Sequence, residues 1–145
     1  MIAARFETRE ATEDDFNRVG DKLTAFSREK QALDYEVLSQ YFRAVVNGEV
    51  VGELIVSMNV PRGDAEVNLL HVEEQQRGKG IGSHLLEMAE DFARAHDATH
   101  IKIWTPDYQG EGFYEKHGYE EATRQPLRDG YADILYVKRG DALKA

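Results

Sequence analysis

The chain has 145 residues, enough for one domain to bury a core unaided, and no cysteine, which excludes disulfides, thiolate metal sites and a catalytic thiol. Lys and Arg total 18 against 27 for Asp and Glu, a formal charge of -9 that disfavours a nucleic-acid partner and favours a cationic substrate. With neither a long apolar run nor a basic-then-apolar leader, no membrane partner or signal peptide is expected, and the composition fits a cytoplasmic protein.

The whole chain, 1–145, reads as a single domain. Residues 4–9, ARFETR, read as a short first strand with Phe6 inward. Thr12 followed by Asp15 resembles a capping box with Asp where Glu or Gln is preferred. Phe16, Val19, Leu23 and Phe26 recur at spacings of three and four, which predicts a helix over 13–28, weakened locally by Gly20. Leu33, Val37 and Leu38 allow a short second helix within 29–40, a candidate wall for a substrate pocket.

The clearest hairpin joins 41–46 to 50–58 through Asn47-Gly48, whose residues supply the positive φ angles of a tight turn, with Glu49 a candidate third loop residue. Pro61-Arg62-Gly63-Asp64 is a second turn. It leads into an apolar strand at 66–72, so three strands should form an antiparallel meander.

The stretch from Glu66 to Leu85, EVNLLHVEEQQRGKGIGSHL, carries the chemistry. Val67, Leu69, Leu70 and Val72 read as a buried strand, and 80–95 as an amphipathic helix with Leu85, Leu86, Met88, Ala89, Phe92 and Ala93 on its apolar face. Between them lies Arg77-Gly78-Lys79-Gly80-Ile81-Gly82. Glycines here let the backbone approach a ligand and aim successive amide N–H groups at one point, which coincides with the helix N-terminus. Arg77 and Lys79 add positive charge, so the expected guest is a phosphate or pyrophosphate.

His100 to Thr105 alternates Ile101, Ile103 and Thr105 against Lys102 and Trp104, as a sheet strand does. The strand, turn, helix, strand unit should be a crossover that makes 66–72 and 100–105 parallel. A loop at 106–112, a short helix over 113–117 ended by Gly118, and strands near 119–123 and 132–138 follow, and the last six residues are expected to fray.

A P-loop requires Gly-x-x-x-x-Gly-Lys before Ser or Thr, and here Lys79 lies between two glycines instead. A dinucleotide fingerprint requires Gly-x-Gly-x-x-Gly, one residue longer than the Gly-x-Gly-x-Gly present. What matches is Arg-x-x-Gly-x-Gly, from Arg77 through Gly80 to Gly82, which resembles the acetyl-CoA-binding signature of the GCN5-related N-acetyltransferase (GNAT) superfamily. Downstream, Gly112-Phe113-Tyr114-Glu115-Lys116-His117-Gly118-Tyr119 resembles that family's segment of tyrosine, acid, lysine and Gly-aromatic. The order of elements agrees over nearly the whole chain. More narrowly, Gln109 to Lys116 is similar to small bacterial and archaeal acetyltransferases.

The resemblance implies an α/β fold: a mixed, mostly antiparallel sheet of six to seven strands flanked by helices, with the fourth and fifth expected strands (66–72 and 100–105) a splayed parallel pair. It implies an acetyl-CoA-dependent N-acetyltransferase acting on a primary amine by direct attack in a ternary complex. The rival reading is a non-catalytic acyl-CoA-binding or regulatory module of the same fold. Acetyl-CoA is the cosubstrate, no metal is expected, the acceptor is a small-molecule or peptide amine, and family members often form homodimers. Carried onto this sequence, the main chain of Leu70, His71 and Val72 binds the pantetheine arm. Arg77, Gly78, Lys79, Gly80, Ile81, Gly82 and Ser83 hold the pyrophosphate, and Tyr114 serves the departing sulfur. Glu66 is the leading general base, placed before Arg77 as in some protein-lysine acetyltransferases of the superfamily, with Asn68 on its strand face to orient water and Glu53 a second candidate.

Where many members carry asparagine and alanine ahead of the tyrosine, this sequence has Asp107 and Gly110. That puts the usual asparagine contact in doubt and offers Asp107 to a cationic substrate, with Tyr108, Gln109 and Trp104 as candidate pocket walls. His96 and His100 straddle a helix end and a strand start without a carboxylate cluster and read as structural or surface residues. His71 sits in the cofactor strand, with its side chain expected to point away.

Overall fold

The computed structural model describes residues 4–31, 36–110 and 112–144. The chain divides into two units, Met1–Tyr35 and Glu36–Ala145. In the first, residues 4–12 have no regular secondary structure, so the expected strand is not formed. A strand needs a neighbour's ladder, and ARFETR offers only Phe6 as a large apolar side chain. Arg9 turns instead to the carboxylate of Asp15. Helix α1 spans Glu13–Gln31 and starts on the capping box: Asp15 N–H donates to Thr12 Oγ1 at 3.2 Å, and Thr12 N–H donates to Asp15 Oδ2 at 2.9 Å. The Arg9 guanidinium, the Thr12 amide and Arg18 hold the Asp15 carboxyl well below the usual range. The second helix expected within 29–40 is not seen. α1 continues to Gln31, 37–40 belong to a strand, and Leu33 lies outside the described residues.

The second unit is built on a six-stranded sheet. Strands β1 (Val37–Val46), β2 (Glu49–Asn59) and β3 (Asp64–Val72) form the expected antiparallel meander. Asn47 (φ 51°) and Gly48 (φ 80°) make the two-residue turn, and because Val46 pairs with Glu49, the loop gains no third residue. Helix α2 (Ile81–Ala95) crosses over to β4 (His100–Pro106), which runs parallel to β3. Helix α3 (Phe113–Lys116) follows, then β5 (Glu120–Pro126) and β6 (Ala132–Arg139), and the sheet order is β1-β2-β3-β4-β6-β5.

The inward face of the sheet meets α2. Leu54, Val56 and Met58 of β2, Ala65 and Val67 of β3, and Ile101 and Ile103 of β4 bury against Leu85, Leu86, Ala89 and Ala93 of α2. This is the apolar stripe read from the sequence, with Met88 and Phe92 at its margin. Gly52 of β2 permits the close approach: a Cβ there would stand 2.9 Å from Ile81 Cγ2. Glu90 joins the buried face, accepting from Tyr119 Oη at 2.8 Å and Lys138 Nζ at 3.1 Å. A buried carboxylate is tolerable when both charge and lone pairs are met in this way.

Of the six last residues expected to fray, 140–144 are helical, and Ala145 lies outside the described residues. Helix α4 (Gly140–Lys144) turns Leu143 fully into the core, and Arg94 Nη1 donates to its carbonyl.

Candidate active site

Two breaks in sheet regularity create the site. β3 and β4 pair only through Asp64–His100, Ala65–Ile101 and Glu66–Lys102, after which the parallel ladder ends. His100 Nε2 and Lys102 Nζ, 2.8 and 3.1 Å from the Asp64 carboxylate, clasp the closed end of this wedge. On the other side, Ile55 pairs with Leu69 while Val56 pairs with Val67, so Asn68 is an extra residue in a β-bulge. The bulge shifts the inward positions from Ala65 and Val67 to Leu70 and Val72. Towards β4, the main chain of Leu70 to Val72 is left without a sheet partner.

The open wedge is a cleft of about 580 Å³. Of the residues singled out from the sequence, it brings together Leu70, His71, Val72, Arg77, Gly78, Gly80, Ile81, Gly82, Ser83 and Tyr114, with Tyr108 and Gln109 at its far wall. Lys79 is not in the lining and donates to Gln76 Oε1 at 3.1 Å. Glu66 is not in the lining either; it stays in the paired part of β3, opposite Ser57 and Lys102. Trp104 is also outside it, on the opposite face of β4 from Thr105. The His71 side chain points away from Leu70 and Val72, as expected, towards Glu73 Oε1 at 3.7 Å.

Gly80 is the N-cap of α2 in the left-handed region (φ 84°), without a capping side chain. The first amides of α2, at Ile81, Gly82 and Ser83, precede the first intrahelical donor, His84 N–H to Gly80 C=O, and they open on the cleft. Gly78 is also left-handed (φ 77°), and a Cβ on Gly78 or Gly80 would meet nothing within 4 Å, so their requirement is conformational rather than one of space. Arg77 folds back, its Nε donating to the Val72 carbonyl at 3.0 Å, which ties the glycine turn to the strand end. The Ser83 hydroxyl lies 2.9 Å from His117 Nε2.

Tyr114 is 6% exposed and packs on Tyr136 and Tyr119, with ring centroids at 5.5 and 5.8 Å. Burial pushes its phenol up to about 12, and its hydroxyl makes no hydrogen bond among the described residues. A neutral donor thus waits at the cleft wall.

Sequence reasoning did not single out Gln76 or Phe113 for the lining, or His117 as the partner of Ser83. Thr105 was read only as an inward strand position. The recurrence of Phe113 and His117 four residues apart was the available signal for the last pair, since it places both rings on one side, 4.8 Å apart. His96 and His100 have separate partners, the Phe92 carbonyl and Asp64.

Comparison with known proteins gives the family and the fold. The family model described as "Acetyltransferase (GNAT) family" matches residues 6–119. The chain is 35% identical to the blasticidin-S acetyltransferase of Streptomyces morookaense over 63% of this chain and 67% of that one. It is 31% identical to the IAA acetyltransferase of Azospirillum brasilense over 71% of this chain and 70% of the other. In fold it is similar to an acetyltransferase from Bacillus cereus, with a TM-score of 0.80 at 20% identity, covering 93% of this chain and 98% of that structure.

Proposed function

This chain belongs to the acetyltransferase (GNAT) family, and from that premise we propose that it binds acetyl-CoA in the wedge between β3 and β4 and acetylates a primary amine by direct attack in a ternary complex. The observation that carries this reading is the end of the parallel ladder at Glu66–Lys102, which leaves 70–72 as an open edge running straight into the glycine turn. Bound there, acetyl-CoA supplies a thioester carbonyl to the amine and a sulfur leaving group. The main-chain groups of Leu70 to Val72 that face β4 bond the pantetheine amides as a neighbouring strand would, the Val72 carbonyl being already taken by Arg77. The amides of Ile81, Gly82 and Ser83, at the positive end of the α2 dipole, hold the pyrophosphate, with Arg77 adding charge at the entrance. Lys79, outside the cleft lining, adds only to the local field.

Tyr114 donates a hydrogen bond to the departing sulfur. With its phenol pushed up to about 12, complete transfer to a thiolate of pKa about 8.5 would be uphill by roughly 5 kcal/mol. The proton therefore stays on Tyr114 while the bond stabilises charge developing on sulfur. For the proton the amine must lose, Glu66 acts through water, oriented by Asn68 on the same strand, because it does not line the cleft. The acceptor is a small molecule, a class supported by the relative named for blasticidin S.

Calorimetry with acetyl-CoA, run beside thiol release with a panel of amines, tests the proposal. It predicts tight binding and amine-dependent thiol release. Binding without transfer to any amine would instead identify a non-catalytic acyl-CoA-binding module.

A further inference from the structure

A second cavity, of about 670 Å³, adjoins the cleft and shares Thr105, Tyr108 and Gln109 with it. It lies where the end of β4 meets α3 and the β5–β6 hairpin. Its charged walls are Asp107, Glu115 and Arg124. Arg124 is already engaged, its Nη2 2.7 Å from Glu121 Oε1. Glu115 has a partner in Tyr136, whose hydroxyl donates at 2.7 Å. Asp107 differs from both. Its Oδ1 is buried without a partner, its Oδ2 is 3.7 Å from Arg124, and the side chain makes no hydrogen bond among the described residues.

A carboxylate in a cavity wall that makes no hydrogen bond keeps acceptor capacity at its accessible oxygen, here Oδ2, for a cationic donor. Its side chain is 26% exposed while Oδ1 is buried, so a guest meets it at Oδ2, beside which Arg124 stands at 3.7 Å. Beside it stand Tyr108 and Tyr131, edge to face with centroids 4.8 Å apart, offering ring surface to a flat or cationic body. Arg124 is shared between Glu121 at 2.7 Å and Asp107 at 3.7 Å, so with Glu115 the carboxylates around the cavity outnumber its one cation.

Resting on the acetyltransferase reading, we infer that this second cavity is the acceptor site and that it selects amines carrying a second cationic group, held by Asp107, on a body that lies against Tyr108 and Tyr131. The amine to be acetylated then reaches the cleft past the shared wall of Thr105 and Gln109. Asp107 binds substrate and takes no part in proton transfer.

The test is calorimetric titration, with and without coenzyme A, using 1,4-bis(aminomethyl)benzene and 4-methylbenzylamine, which share ring and primary amine and differ in the second ammonium. Wild type should bind the diamine about 10-fold or more tightly than the monoamine, the worth of one charge-assisted hydrogen bond. Asp107→Asn should bring the two within about 2-fold, and Tyr131→Ala should weaken both amines together. Equal affinities in wild type, a readout that needs no variant, or a preference that survives in Asp107→Asn, overturns the inference. Thiol release in the same mixtures separates it from its premise. Diamine preference without transfer leaves the cationic site and removes the enzyme reading; transfer without preference does the reverse.

Discussion

Tyr114 concentrates the chemistry at the scale of one residue. Because its hydroxyl has no partner within the described fold, Tyr114→Phe should fold normally, lower kcat by about 100-fold and move the KM for acetyl-CoA by less than about 3-fold in a thiol-release assay. An unchanged kcat removes Tyr114 from the mechanism. Glu66→Gln should lower the rate most below the pKa of the amine and alter the pH profile, whereas a purely structural glutamate would leave the profile's shape intact. Burial also makes a stability prediction. The phenols of Tyr114 and Tyr136 are pushed up to about 12, so the folded state holds these protons more tightly than the unfolded chain does. Their contribution is fully present below about pH 10 and is lost as pH rises from about 10 to about 12. Denaturant midpoints should fall across that window, and less steeply in Tyr114→Phe.

Among the elements, the glycine turn and the C-terminal helix respond to opposite faults. Gly80→Ala meets no clash, yet it must hold φ 84°, so it should cost about 1–2 kcal/mol in chemical denaturation and weaken acetyl-CoA binding by disturbing the first amides of α2. Leu143→Ala leaves a cavity in the core and should cost about 2–5 kcal/mol, with little effect on KM if the protein stays folded. The turn was legible because its requirements are local: Arg77, Gly78, Gly80 and Gly82 fall within six residues, and the helix they open carries an apolar stripe. The hairpin through Asn47-Gly48 was legible for the same reason. The burial of Leu143 was not, since one leucine in a polar tail reveals nothing about the space beneath α2 and β4 that receives it. Nor was the bulge at Asn68, which arises from pairing with β2 and leaves no trace in composition. The second cavity is assembled from β4, α3 and a hairpin distant in sequence. Asp107 could be flagged from the chain, but its unpartnered Oδ1 and the sharing of Arg124 between Asp107 and Glu121 appear only in the fold.

Across the whole molecule, the charge of -9 and the cluster of acids around the proposed acceptor site act together on cationic substrates. Steering of this kind is screened by salt, so kcat/KM for a diamine should fall several-fold between about 50 mM and about 500 mM salt while kcat changes little. No helix among the described residues is long and apolar enough to cross a membrane. The family match, residues 6–119, extends over both units of the chain. The most direct test of the central claim is thiol release from acetyl-CoA in the presence of 1,4-bis(aminomethyl)benzene, with the amine product identified by mass spectrometry. Thiol release matched by a diamine bearing one added acetyl group is the predicted result; acetyl-CoA that binds yet is never consumed, whatever amine is offered, would contradict the account.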